Sequence, residues 1–289
     1  MNGFLCIDKP KGPSSFDIIR IIRQATGIQK IGHNGTLDPE ATGLLVLALG
    51  KATRLLPYLH SEPKTYEFSI QFGKTTDTLD SVGSVTEEGK PIPPVKALAD
   101  AVESFQGRII QKPPLHSAVK IKGKPAYKLA RQKKIFDMPE REVTIHSLQL
   151  LRYNEEKGEA FLQAVCSKGT YVRSLARDIA LKMDTIGYAS SIRRTAAGDF
   201  NVQNSATIDN VQKDSRKHIV PVKRAFASFP SYKASPVQIK DLSHGSEIEV
   251  DNNDNSPVLF IYSPEEEIIA VTENSSPSKY HPVKVFIEP

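Results

Sequence analysis

Three residues combine a reactive or anion-binding side chain with a setting that bulk solvent does not explain. Asp38 lies in Gly32-His33-Asn34-Gly35-Thr36-Leu37-Asp38-Pro39-Glu40-Ala41-Thr42-Gly43, where three glycines and a proline rule out a regular element. The apolar run Leu44 to Leu49 follows directly, so this loop is anchored on the core, and a carboxylate held there is a candidate nucleophile or base. The residues leave a second reading open, in which Asp38 caps a helix with Pro39 at its first position. Arg173 follows Thr170, and with Thr170 as N-cap it takes the third helical position, where a capping box carries an acid. A cation there meets the positive end of the helix dipole, a cost of about a few tenths of a kcal/mol. An anion is therefore expected beside it, either a carboxylate such as Asp38 or a ligand phosphate; a solvated surface arginine is the alternative. Tyr66 falls on the apolar face of an alternating strand, either as a core aromatic or as a platform for an unstacked base.

The charge distribution points to a polyanionic partner. The 289-residue chain carries a formal charge of +5, but residues 231–289 hold four Lys against ten acidic residues, so the part before them carries +11. Arg108 to Lys134 contains nine Lys and Arg and no acid, with His116 and Tyr127 among them. Such a run is either a solvated face or a set of phosphate contacts, and mutual repulsion among the cations favours the second. Cys6 and Cys166 stand far apart, without the spacing of a disulfide framework or a zinc site. No Walker loop, dinucleotide fingerprint or nucleophile elbow occurs, which withdraws support from redox and nucleotide-driven chemistry. No apolar stretch is long enough to span a bilayer or form a signal peptide, and the expectation is a cytoplasmic protein.

The elements that must position these residues intermix strands and helices without a βαβ period, which predicts an α+β fold with a mixed sheet. Gly3 to Ile7 reads as a strand entering a Pro-Lys-Gly-Pro turn, and Ser14 with Asp17 forms a capping box for a helix with an Ile18, Ile21, Ile22, Ala25 stripe ending at Gly27. Tyr66, Phe68, Ile70 and Phe72 alternate with polar residues as a half-buried strand. A helix is predicted from Ala97 to Phe105, strands over Val143 to Tyr153 and Ala160 to Cys166, then a helix with apolar Val172, Leu175, Ile179 and Met183. Composition turns polar around Asn201 to Lys217, the Pro-bearing segment up to Pro230 reads as a connector, and a domain boundary is placed near residue 229. Strand-like pieces at Ser246 to Val250, Val258 to Tyr262, Ile268 to Val271 and Val283 to Ile287 predict a small β-rich module over 230–289.

The twelve-residue loop closely resembles the Gly-His-x-Gly-(Ala/Thr)-Leu-Asp-Pro-x-Ala-Thr-Gly motif of the TruB family of tRNA pseudouridine synthases. Further segments resemble the family in the same order: Asp8-Lys9-Pro10 with Gly12, Lys64-Thr65-Tyr66, Asp77-Thr78-Leu79-Asp80, Gln111-Lys112-Pro113-Pro114 through Lys120, and Cys166-Ser167-Lys168-Gly169-Thr170-Tyr171-Val172-Arg173. The resemblance covers roughly residues 3 to 200. It implies isomerisation of uridine 55 in the T loop of tRNA without cofactor or metal, by a monomer needing no protein partner. It also implies a pseudouridine synthase catalytic domain over 1–229 and a PUA-like module over 230–289.

By the same resemblance Asp38 is the catalytic aspartate, Arg173 its partner, and Tyr66 the aromatic that packs on the target base. His33 and Lys9 correspond to the RNA-facing side of the cleft, and Tyr171 and Ile192 to its wall near the uracil. The stretch of about 108–137 corresponds to an insertion that clamps the T arm, with Lys120, Lys122, Lys124, Lys128 and Arg131 on the RNA backbone. His116 stands where tyrosine is usual, Ile192 where leucine is commoner, and the C-terminal module is acidic, so its role is either structural or confined to a patch around Lys279 and Lys284. Two other readings stay open: a tRNA-binding chaperone without chemistry, and the catalytic subunit of a guide-RNA particle.

Overall fold

A computed structural model describes residues 2–132, 134–250 and 256–287. The chain opens with β1 (Gly3–Lys9), α1 (Ser15–Thr26), β2 (Ile31–His33), β3 (Thr42–Leu49), β4 (Lys64–Phe72), β5 (Lys74–Thr76) and β6 (Val85–Glu88). There follow α2 (Val95–Ser104), β7 (Gly107–Gln111), the short hairpin of β8 (Lys120–Ile121) and β9 (Lys124–Pro125), and α3 (Ala126–Arg131). Next come β10 (Arg141–Asn154), β11 (Glu159–Cys166), α4 (Val172–Leu181), β12 (Gly187–Ala197), β13 (Phe200–Asn201), α5 (Ile208–Lys213), β14 (Ile219–Val220) and α6 (Val222–Ala225). The last elements are β15 (Ser231–Lys233), α7 (Pro236–Ser243), β16 (Ile248–Glu249), β17 (Val258–Tyr262), β18 (Ile268–Ser276) and β19 (Lys279–Val285).

A ten-stranded sheet runs β14-β1-β3-β12-β4-β11-β10-β7, with β2 on β3 and β13 on β12. Its pairings are antiparallel except that β12 meets β3 in parallel at Arg193 and Arg194. The fold is therefore α+β with a mixed sheet, as the intermixed elements predict. The unbroken apolar run in β3 has a simple cause: both faces are covered. Leu45, Leu47 and Leu49 enter one core with α1 and α4, while Leu44, Val46 and Ala48 enter a second core on the other face, shared with the C-terminal strands. Full burial of each large side chain contributes about 1.5–3 kcal/mol, so this strand is a rigid base for the loop before it.

Several expectations are corrected. In α1 the capping box forms and Gly27 takes the left-handed cap, but Ile19 rather than Ile21 is buried with Ile18 and Ile22. The segment from Asn201 to Pro230 is no loose connector. It forms β13, α5 and 3-10 turns, then passes into β14, which pairs with β1 at the sheet edge. The C-terminal strands form a separate five-stranded sheet, β15-β17-β18-β19-β16, and the last strand runs Lys279–Val285, earlier than expected. Helix α7, with its Ser235 and Gln238 capping box, belongs to no strand-like pattern and was not anticipated. This second sheet is fixed to the first by an aromatic cluster in which Phe226 stacks on Phe260 at 4.6 Å, and by Lys51 donating to the Phe286 carbonyl at 2.6 Å.

Candidate active site

The Asp38 loop is shaped from behind. Ser15, the first residue of α1, accepts from the Leu37 N–H at 2.9 Å and donates to the Leu37 carbonyl at 3.0 Å. The Pro39 carbonyl accepts from Gly12 N–H at 2.9 Å and from the Lys9 ammonium at 3.0 Å. Ala41 N–H closes a turn onto the Asp38 carbonyl at 3.1 Å, and the chain passes straight into β3. No helix starts at Pro39, so the reading of Asp38 as a helix cap fails. One glycine of the motif is required by space: at Gly43, with φ +94°, a Cβ would collide with the Arg194 backbone of the parallel neighbour strand. At Gly35 the requirement is the backbone, with φ +89°, since the Lys64 ammonium that a Cβ would meet can move aside.

Backbone bonds turned inward leave the Asp38 carboxylate free to point into a cavity of about 250 Å³. Its Oδ2 forms an ion pair with Arg173 Nε at 2.9 Å, while Oδ1 has no hydrogen-bond partner among the described residues. The exposures differ sharply, 40% for the Asp38 side chain and 4% for Arg173. Arg173 spends its remaining N–H groups on the carbonyls of Thr78 at 2.8 Å and His116 at 2.9 Å, and lies 3.5 Å from Asp80. A guanidinium held from four directions is a fixed fork, and it presents the carboxylate rather than merely neutralising it.

Arg173 lies one helical position earlier than a Thr170 cap predicts. Tyr171, not Thr170, is the N-cap of α4, and Arg173 is the second helical residue. Thr170 instead donates to the Ser167 carbonyl at 2.9 Å, closing the preceding turn. No side chain caps the helix; the buried Gln111 amide instead holds the N-cap residue itself, accepting from Tyr171 N–H at 2.8 Å and donating to the Tyr171 carbonyl at 3.2 Å. The expected anion beside the helix start is present twice, as Asp38 and Asp80.

Tyr66, Tyr171 and Ile192 line the same cavity as Asp38 and Arg173. Tyr66 is 8% exposed, and burial raises its phenol, with the Arg194 guanidinium opposing. His33 and Lys9 do not line the cavity. His33 is half-buried at the end of β2, and burial, reinforced by Arg194, lowers its imidazole; its buried Nδ1 has no protein partner. The RNA-facing expectation fails for Lys9. It is fully buried behind the Asp38 loop, donating to the Pro10 and Pro39 carbonyls, and burial lowers its ammonium to about 8 against the pull of Asp38 and Glu40. Its reach into the loop carbonyls makes it a support of the loop, not a contact surface.

Lys120, Lys122, Lys124, Lys128 and Arg131 are exposed on the β8–β9 hairpin and α3, and none forms an ion pair among the described residues. Lys133, within the same basic stretch, lies outside the described residues. The base of this segment is pinned by α4, where Ser174 and Arg177 donate to the Lys112 carbonyl at 2.8 and 3.0 Å. Arg173 thus ties both the loop and the basic segment to one helix.

Composition and spacing missed Arg194, Lys64, Ser117 and Asp80. Arg194 is 1% exposed and clamps the Leu44 and Gly35 carbonyls at 2.8 and 3.0 Å. Lys64 lines the cavity, its ammonium lowered by burial and then by Arg194. Lys64, Ser117 and Asp80 stand inside segments that resemble the family, which gave them a place in the sequence but no role.

A rigid carboxylate on a buried arginine, an aromatic wall and a basic flank, carried on a mixed sheet, define an enzyme of the pseudouridine synthase class, an isomerase. Its fold aligns with the solved structure of a Cbf5-Nop10-Gar1 complex at a TM-score of 0.71 and 24% identity, covering 99% of this chain and 85% of that one. The chain belongs to the TruB family: the model of the TruB family pseudouridylate synthase N-terminal domain matches residues 23–172. It is 38% identical over 264 residues to a protein of Caldanaerobacter subterraneus subsp. tengcongensis named tRNA pseudouridine synthase B, covering 91% of each chain. It is 36% identical to the protein of that name from Borreliella burgdorferi, covering 99% of each.

Proposed function

We propose that this protein converts uridine 55 in the T loop of tRNA to pseudouridine, with Asp38 as the catalytic carboxylate. The observation that carries the reading is the unshared Oδ1 of Asp38 at a cavity beside Tyr66, its partner oxygen fixed by the buried Arg173. Isomerisation breaks the bond from uracil N1 to ribose C1′, turns the base, and joins C5 to C1′; N1 gains a proton and C5 loses one, so the formula is unchanged. A cavity of this size suits one extruded nucleoside and not a duplex, so the base must leave its stack. Tyr66 and Ile192 hold the uracil while it turns, and the Asp38 carboxylate faces it as the reacting group, by addition to the base, addition to the ribose or assistance to elimination.

Relatives named tRNA pseudouridine synthase B support tRNA as the substrate. The exposed, unpaired cations of the β8–β9 hairpin and α3 suit the phosphates of the T arm. The chain divides near residue 229 into a catalytic domain, 1–229, and a PUA-like module, 230–289, the latter built on its own sheet. An unmodified tRNA transcript incubated with the protein and treated with carbodiimide, which marks pseudouridine, should give one reverse-transcription stop, in the T loop. Tight T-arm binding without that stop would leave a binding protein only.

A further inference from the structure

The polar segment between β12 and α6 lines a second cavity, on the opposite face of the large sheet from Asp38. Its volume is about 570 Å³, more than twice that of the catalytic cavity and within the range of small-molecule sites. Its floor is Cys6, which shares the second core with Phe4 and Val46, whereas Tyr66 belongs to the first. Along β1 the alternation of Phe4 and Cys6 with Leu5 and Ile7 sets the two faces apart.

The rim of this cavity is cationic. Lys217, His218 and Arg224 line it with the amide of Asn204, against a single acid, Asp199. That carboxylate lies 3.7 Å from His60, outside the lining. Lys217 has Asp214 at 3.5 Å, but Arg224, His218 and Asn204 have no hydrogen-bond or ion-pair partner among the described residues. Asn204, Lys217 and Arg224 are exposed and His218 half-buried along one concave surface, a set of donors open to an anion with several acceptor oxygens. Cys6 brings no chemistry, since burial pushes its thiol up to about 12, so the site binds and does not react.

We infer that this cavity is a phosphate-binding site for a nucleotide unit, taking a phosphate of the substrate RNA that lies outside the T arm. Arg224 forks the phosphate oxygens, and Lys217, His218 and Asn204 complete the shell. The inference rests on RNA being the substrate, but not on Asp38 being the catalytic group.

The test compares wild type with Arg224→Ala and with Ala227→Trp, which fills the cavity from an exposed position. Binding to full-length tRNA and to an isolated T-arm hairpin is measured across a salt series, with turnover on the hairpin. Both variants should bind full-length tRNA at least about tenfold more weakly, with a salt slope reduced by about one in Arg224→Ala. Hairpin binding and turnover should stay at wild-type values. Uridine 5′-monophosphate is titrated in parallel: saturable binding abolished by Arg224→Ala, with tRNA affinity unchanged, would keep the phosphate site but assign it to free nucleotide. If neither tRNA nor nucleotide binding depends on Arg224 or Ala227, or if hairpin and full-length tRNA weaken equally, the inference is overturned. Loss of hairpin turnover in wild type would count against the proposed function alone.

Discussion

Two arginine–aspartate pairs flank the Asp38 loop and β3, one between strands β12 and β1 and one between α4 and the loop itself, and they differ in how completely the carboxylate is used. Arg193 grips Asp8 with both ends of its guanidinium, at 2.8 and 3.0 Å, so both oxygens of Asp8 are used. Arg173 touches Asp38 through Nε alone, at 2.9 Å, and leaves Oδ1 free. The first pair has the better isolated geometry and the poorer burial, with side chains 39% and 32% exposed. In the second, the arginine is 4% exposed and locked by two carbonyls and a further carboxylate. The proposed assignment places the chemistry on the pair in which the cation is buried and the anion incompletely satisfied. Ion-pair distance alone would select the other pair.

Removing Arg173 should break the contrast most severely. Arg173→Ala strands two carboxylates and two carbonyls, and should lower stability by about 3–5 kcal/mol in urea denaturation, with turnover abolished. Arg173→Lys, which keeps the charge but not the fork, should lose less stability yet still lose most turnover. Asp80→Asn removes the carboxylate behind Arg173, which also accepts from the Thr78 hydroxyl at 2.6 Å, and should cost about 1–3 kcal/mol while RNA binding persists.

Lys9 gives a pH signature. Its folded value, about 8, lies below the ordinary 10.5, so the folded state holds fewer protons between these values and stability should rise with pH there. Relative to Lys9→Met, wild type should gain on the order of 1–3 kcal/mol from pH 8 to 10.5, read from urea midpoints of both proteins. A flat difference would show the ammonium is not buried. Smallest of all, Asp8→Asn should change stability by about 1 kcal/mol or less and turnover by no more than a few-fold. A large loss of turnover there would erase the distinction between the two pairs.

The local features were readable before the structure because they are written in neighbouring residues. The Ser14 and Asp17 cap, the doubly buried β3 and the glycine-bound Asp38 loop all depend on spacing within a dozen positions. What was not readable depends on strand order. Arg194 reaches Gly35 and Leu44 only because β12 inserts beside β3 in parallel, and Asp80 reaches Arg173 across 93 residues of chain. The start of α4 depends on distant residues in the same way: Gln111 from the edge strand fixes Tyr171 as its first flanking residue, while Thr170 turns back to Ser167. Lys9 looked like an RNA contact from its motif, and only the loop's inward carbonyls show why a lysine is buried there.

The central claim is that Asp38 is the reacting carboxylate and that Arg173 only presents it. Single-turnover conversion of the T-loop uridine by Asp38→Asn, measured alongside tRNA affinity, tests this most directly. The variant keeps the shape of the side chain and an oxygen for Arg173, so tRNA affinity should stay within a few-fold of wild type while conversion falls to background. Conversion at a measurable fraction of the wild-type rate, with affinity intact, would contradict the assignment and move the chemistry to another group in the cavity.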